Sequence, residues 1–389
     1  MKRARNFFAI LPAVLMLAVV VGGQNAPLAV KAPASREVNM LVLGDSIMWG
    51  QGLKEEHKSW FLVKSWLEEN GVVVHAKIEA HAGAVIGAAG IAPPKVLTTY
   101  GEVNSAWPTL HNQVDDALRA FPDPNQIDLV IVDGCINDVN ARRFLNAANS
   151  ADGIEALAAE KCGRPVQELL IRIASSFPNA HIVATGYYPV ISENTPHDLF
   201  MRVLAKRFYA PVASEGPKLS DEELLKRLAS VSNAWYEASN RSLMEAVEKT
   251  NAALALKGSR QRALFAKIPF KAEHAFAAKD SRLWGFDGTT LRKLLAAVTA
   301  GKVDLRSNDE VRSQRASVCE EFFKRLPREN EEQKQTRKSE LTVCRLAAIA
   351  HPNRKGAVLY ADSIKEQVQT FVRDPGWLRA PAASAAASH

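Results

Sequence analysis

Short apolar runs, too brief for a helix with its own apolar face, alternate along this chain with longer amphipathic stretches. Met40-Leu41-Val42-Leu43 and residues 72–78, 127–132, 181–185 and 263–268 read as buried strands. Between them the period changes. Residues 59–69 (SWFLVKSWLEE) bring Trp60, Phe61, Val63 and Leu67 towards one face and stop at Asn70-Gly71. Residues 110–121 read as a second amphipathic helix ended by Pro122, and residues 153–176 as a helix broken or bent near Gly163. A long helical stretch covers 221–256, and a last helix runs from about His351-Pro352 to about Val372. Strand and helix alternating at this spacing predict an α/β protein with a parallel sheet and helices on both faces. The pattern leaves the order of the strands open.

Two stretches depart from the alternation. Residues 271–288 form a long loop that carries His274, Phe276, Trp284, Gly285 and Phe286, and loops of that length in compact domains are usually functional or mobile. Residues 308–338 are charge-dense and helical in character, which predicts a solvated helical hairpin inserted at the surface. Beyond Pro375 an Ala/Pro/Ser tail is expected to be disordered.

The first 30 residues change the picture of where the protein works. Lys2, Arg3 and Arg5 precede an apolar run from Phe7 to Val21, the layout of a signal peptide, and Gly23, Ala26 and Ala32 offer possible cleavage points. The expectation is a secreted or periplasmic protein. A retained amino-terminal anchor is the alternative, and membrane contact is expected only in that case. The net charge of +7 falls to +4 without those three residues, too mild to argue for nucleic acid. The chain's 389 residues, 47% of them hydrophobic, supply a large core. Four cysteines in an exported protein allow three disulfide pairings, of which Cys135 with Cys162 and Cys319 with Cys344 is preferred. Their spacing lacks a CxxC and argues against structural zinc.

Candidate chemistry begins at the first strand. Gly44-Asp45 stops the run, so Ser46 falls just past the carboxyl end of a strand, the edge where open α/β sheets gather reacting groups. A serine there is a candidate nucleophile if the chain supplies a base and donors for an oxyanion. Gly83 follows the second strand, where the lack of a Cβ lets a backbone N–H approach a ligand. Asn137, in Asp133-Gly134-Cys135-Ile136-Asn137-Asp138 after the third strand, offers a neutral amide donor. His81 is a possible substrate-side contact. Asp45 and Asp138 are assigned to holding loops.

GDSIMWGQGL, the glycine after the second strand, the Asn-Asp after the third and HPNRKGAVLYADSI near the carboxyl end together resemble the SGNH subgroup of the GDSL hydrolases. The resemblance spans residues 38 to about 198 and 256–371, in the family's order. It implies a flavodoxin-like three-layer α/β/α sandwich with a mostly parallel sheet over residues 38–373, with helical insertions at about 200–256 and 300–340. It also implies an esterase or lipase that works without metal or cofactor on a small-molecule, lipid or carbohydrate ester. Ser46 would be the nucleophile and His351 the general base. The N–H groups of Ser46 and Gly83 and the amide of Asn137 would form the oxyanion hole. Read from their residues, the helical stretch 221–256 and the aromatic loop around Trp284 offer either an apolar wall or lid for an acyl chain or core packing, the preferred reading for most of their Leu and Ala residues.

Two departures from the family pattern stand out. Ala348 occupies the place, three residues before His351, where the family usually has an aspartate, so a main-chain carbonyl would have to orient the imidazole. Cys135 stands where the family has glycine, and a positive φ there would strain it. These departures keep in view a non-catalytic binding protein with a decayed site; a second alternative, an O-acyltransferase or deacetylase acting on cell-surface or other polysaccharide, would use the same acyl-enzyme and be favoured by an anchored amino terminus.

Overall fold

A computed structural model describes residues 36–372, apart from residues 89, 91, 99, 209–218, 289–305 and 328–330. The expected leader at 1–30 and the tail at 374–389 lie outside the described residues. No helix among the described residues is long and apolar enough to cross a membrane.

The elements run in the order β1 (Arg36–Leu43), α1 (Ser46–Trp49), α2 (Ser59–Glu69), β2 (Val72–Ile78), α3 (Leu110–Ala120), β3 (Leu129–Val132), α4 (Ile136–Val139), α5 (Ala141–Phe144), α6 (Ala151–Cys162) and α7 (Arg164–Ser176). Then come β4 (His181–Thr185), α8 (Leu199–Phe208), α9 (Asp221–Leu256), β5 (Ala263–Ala266), α10 (Arg312–Arg325), α11 (Glu331–Arg345) and α12 (Arg354–Val372). All five strands pair in parallel, in the order β2-β1-β3-β4-β5.

The strands are apolar on both faces because both faces are covered. Met40 and Val42 of β1 join Leu129, Ile131 and Val183 beneath α2 and α12, where Trp60, Val63, Ile364 and Val368 close that layer. Leu41 and Leu43 point the other way, with Val130, Val132 and Ile182, against Leu110 and Val114 of α3, Leu170 of α7 and Trp235 of α9. The result is a three-layer α/β/α sandwich. Ser220 caps α9 through a capping box with Glu223, and at 36 residues the helix is about 54 Å long.

The break read near Gly163 is there: α6 and α7 meet at that glycine, where a Cβ would lie 2.6 Å from the carbonyl oxygen of Ala159. β3 begins at Leu129, two residues late, because the preceding 3-10 turn Pro124–Gln126 still holds Ile127 through Pro124.

Register then places the site. Leu43 pairs with Val132, so β1 and β3 end side by side and the residues after each are neighbours. Their connections leave in opposite directions, β1 to β2 and β3 to β4, which opens a crevice at the carboxyl edge between them.

Candidate active site

Ser46 is held at the crevice by its two predecessors. Gly44 has φ 142°, and a Cβ on it would lie 1.9 Å from Oδ1 of Asp133, so no other residue fits. Asp45 then caps α1, its Oδ1 accepting from the Ile47 N–H at 2.9 Å. That leaves Ser46 at the first helical position, buried to 7% exposure, with its Oγ 2.7 Å from Nε2 of His351.

His351 sits in the turn between α11 and α12, and the long aromatic loop braces it. The Trp284 N–H donates to the His351 carbonyl at 2.7 Å, the Ala350 N–H donates to the Trp284 carbonyl at 2.9 Å, and Leu283 bridges to Pro352. Asn353 donates to the carbonyls of Ser281 and Leu283 and accepts from Lys355 and Gly356, fixing the start of α12. The loop expected from its length to be functional or mobile is a brace for the candidate base.

No carboxylate bonds to Nδ1 of His351, which is buried; the backbone carbonyls of Ile349, Ala348 and Ala347 lie on its side of the chain, as expected near Ala348, without a well-aligned hydrogen bond. Desolvation pushes the His351 pKa down to about 4, with the Arg315 charge adding to it, while the carbonyls of Ile349, Ala348 and Ala347 oppose the shift. Ala348 itself is fully buried, its methyl against Gly52 in the same corner as Asp309 and Trp284.

Gly83 turns the chain after β2 with φ 82°, where a Cβ would lie 2.1 Å from Oδ1 of Asn104 and 2.6 Å from the Ser105 nitrogen. The N–H groups of Ser46 and Gly83 meet no acceptor among the described residues. Asn137, in α4, donates one amide hydrogen to the Ala84 carbonyl at 2.9 Å and keeps the other. That bond ties the turn after β3 to the turn after β2. Asp138 adds a second tie by accepting from the Ile86 N–H, the holding role expected of it.

Cys135 does take a positive φ, 112°, and is disulfide-bonded to Cys162; the second disulfide joins Cys319 to Cys344. The preferred pairing is the one formed. His81 is not brought to the site: its Nδ1 faces the Ala82 carbonyl at 3.0 Å and it stays outside the cavity that Ser46, Asn137 and His351 line. Gly83 also lies outside that lining, behind Asn104, which borders it.

Two buried groups went unread in the sequence. Tyr187, after β4, donates to Oδ2 of Asp45 at 3.0 Å and accepts from the Ile136 N–H at 3.2 Å, bridging the cap before Ser46 to the turn that carries Asn137. Burial raises the Asp45 pKa to about 6 and that of its neighbour Asp133 well above the usual range, with Asp45 repelling a charge on Asp133. Glu102 is the hub of the second group. It accepts from Nε1 of Trp49 at 3.0 Å, Nε2 of Gln51 at 2.9 Å, the Gly52 N–H at 3.1 Å and Nη1 of Arg315 at 3.0 Å. Arg315 is fully buried and also pairs with Asp309. The signal for Tyr187 was its place at a strand end, like Ser46 and Asn137; Arg315 carried no local signal.

The cavity has a volume of about 370 Å³, with Ser46, Gln51, Asn104, Asn137 and His351 among the residues that line it. Among the described residues no group of three His, Cys, Asp or Glu is placed to hold a metal ion. Such an arrangement can deprotonate a serine hydroxyl and stabilise an oxyanion.

No family model matches the chain, and neither does any curated protein. Solved structures that it resembles include an extracellular lipase from Streptomyces rimosus, at 15% identity over 63% of this chain and 87% of that one with a TM-score of 0.38. A phospholipase A1 from Streptomyces albidoflavus is similar at 15% identity over 64% and 88%, also with a TM-score of 0.38. A psychrotrophic esterase from a Pseudoalteromonas species covers 86% of this chain and 99% of its own at 11% identity, with a TM-score of 0.32.

Proposed function

We propose that this chain is an exported serine esterase of the SGNH type that hydrolyses carboxylic esters through an acyl-Ser46 intermediate. The observation that carries the proposal is the 2.7 Å contact between Ser46 Oγ and His351 Nε2 at the carboxyl edge of the sheet. The motif order along the chain supports the same reading, and the two disulfides are compatible with export.

In the proposed reaction Ser46 Oγ bonds to the ester carbonyl carbon as its proton passes to His351 Nε2. The carbonyl electron pair moves onto oxygen, and the resulting oxyanion rests on the N–H groups of Ser46 and Gly83 and the free amide hydrogen of Asn137. Collapse breaks the bond to the alcohol, which takes the proton from Nε2. Water then repeats the cycle on the acyl-enzyme. A neutral imidazole is the starting state this requires, and the burial of His351 favours it. No carboxylate orients the ring; its hold comes from the Trp284, Ala350 and Asn353 backbone and side-chain bonds on either side.

Hydrolysis of p-nitrophenyl esters by the chain from about Ala32 onward tests the proposal, with Ser46→Ala and His351→Ala alongside. The expected result is loss of at least 10³-fold in kcat in each variant. The absence of a carboxylate bonded to Nδ1 of His351, with Ala348 three residues before it, favours one other reading, a binding protein with a decayed site. Failure of a fluorophosphonate probe to label Ser46 in the folded protein would move that reading ahead.

A further inference from the structure

We infer that the cavity beside Ser46 holds an alkyl chain of the ester, so the substrates are esters with a medium or long aliphatic chain rather than small acetyl esters. This inference rests on the proposed esterase reading and names the substrate class of that site. The volume, about 370 Å³, is more than twice the roughly 150 Å³ that admits a benzene molecule, so an acetyl methyl would leave most of it empty.

The lining is divided by chemistry. Side chains with free polar atoms, Gln51, Asn104 and Asn137, sit with Ser46 and His351. Away from them the wall is built of Met201 and Leu204 from α8, Leu228 from α9, Phe276 and Phe286 from the aromatic loop, and Leu346 beyond α11. Tyr188 also borders it, but its hydroxyl is committed to the Ala350 carbonyl at 2.9 Å. Arg142 is the charged exception on that wall, and it is exposed. A sugar in such a space would bury hydroxyls with few partners, at a cost of about 1–3 kcal/mol each, whereas a methylene gains from leaving water. The wall draws on α8, α9, the aromatic loop and the turn after α11. Of the expected apolar wall, Phe276, Phe286 and Leu228 take part; Trp284 does not, and most of α9 is core.

The experiment is a chain-length series of p-nitrophenyl esters from two to twelve carbons on the parent, Ser46→Ala, Ala205→Phe and Leu346→Trp. Ala205 and Leu346 lie on different walls, so one variant still informs if the other does not fold. In the parent, kcat/KM is expected to rise up to about fourfold per methylene, the equivalent of ~0.8 kcal/mol, to at least 100-fold between acetate and octanoate. Each filled variant lowers the octanoate-to-acetate ratio at least tenfold. A parallel series of alkyl acetates assigns the chain: length dependence in the acyl series places it on the acid, and dependence in the alcohol series places it on the alcohol. Two-carbon and eight-carbon chains turned over within threefold of each other in both the acyl and the alcohol series, with Ser46→Ala inactive, would overturn the alkyl-chain inference and leave the esterase standing. A length preference unmoved in both folded variants would overturn it too. Absence of Ser46-dependent hydrolysis across both series would overturn the esterase reading and this inference with it.

Discussion

No carboxylate bonds to the buried Nδ1 of His351; backbone carbonyls of Ile349, Ala348 and Ala347 are its polar neighbours, which sets this imidazole apart from one oriented by a carboxylate. Its pKa is lowered to about 4, chiefly by desolvation. Because the base must be neutral, the acid limb of kcat/KM is expected near pH 4 rather than 6.5, with activity level between about pH 5 and 7; a pH profile checks this, and a limb at 6.5 contradicts it. The same depressed pKa means the native state binds fewer protons than the unfolded chain between about pH 4 and 6.5. His351 therefore contributes stability that is lost as the pH falls through that window. Asp45, raised to about 6, acts in the opposite sense and loses its contribution as the pH rises from about 4 to 6. Asn137→Ala is expected to lower kcat by about 10²–10³ with little change in KM, measured on a short ester, because its free amide hydrogen serves the oxyanion. Tyr187→Phe removes both bonds that join the Asp45 cap to Ile136; the expected outcome is a fall in kcat at unchanged KM, and a fall in thermal stability alone would make Tyr187 merely structural. The strand-end places of Ser46, Gly83 and Asn137, and that of His351 ahead of the last helix, were legible because Gly, Asp and Asn, or a His-Pro pair, mark them locally. Tyr187 shared the strand-end mark, but its burial against Asp45, like that of Glu102 against Arg315, depends on residues distant in sequence.

At the scale of elements, the pair α10 and α11 is where sequence and structure part most clearly. Its charge density predicted a solvated hairpin, yet Arg315 is fully buried between Asp309 and Glu102, the latter 213 residues away. A single buried arginine in a run of exposed ones leaves the local pattern unchanged, so the anchor was invisible. The turn beyond the pair carries Ala347, Ile349 and His351. Removing one member of a buried ionic cluster leaves its partners uncompensated, so Arg315→Ala is expected to cost about 3–5 kcal/mol in urea unfolding. A cost below 1 kcal/mol would show the cluster to be solvated after all. The disulfide between Cys319 and Cys344 closes a separation of 25 residues, for which chain entropy gives about 3 kcal/mol. Period and punctuation were enough for the helices at 59–69 and 221–256, whose ends carry Asn-Gly and a serine cap.

For the molecule as a whole, the class of fold was legible because apolar runs of four to eight residues buried on both faces fit a parallel sheet and little else. The strand order was not, because it depends on which way each crossover leaves, and that order creates the crevice. The cavity was foreseen only in outline: its wall draws on α5, α8, α9, the aromatic loop and the turn before His351, segments with no common motif. The central claim is that Ser46 carries the acyl group. Its most direct test is mass spectrometry of the protein quenched during turnover of a p-nitrophenyl ester, with the modified peptide sequenced. The account predicts one acyl adduct on the peptide containing Ser46, absent in Ser46→Ala and formed at least 10³-fold more slowly in His351→Ala. Hydrolysis that persists in Ser46→Ala, or an adduct on another residue, would contradict it.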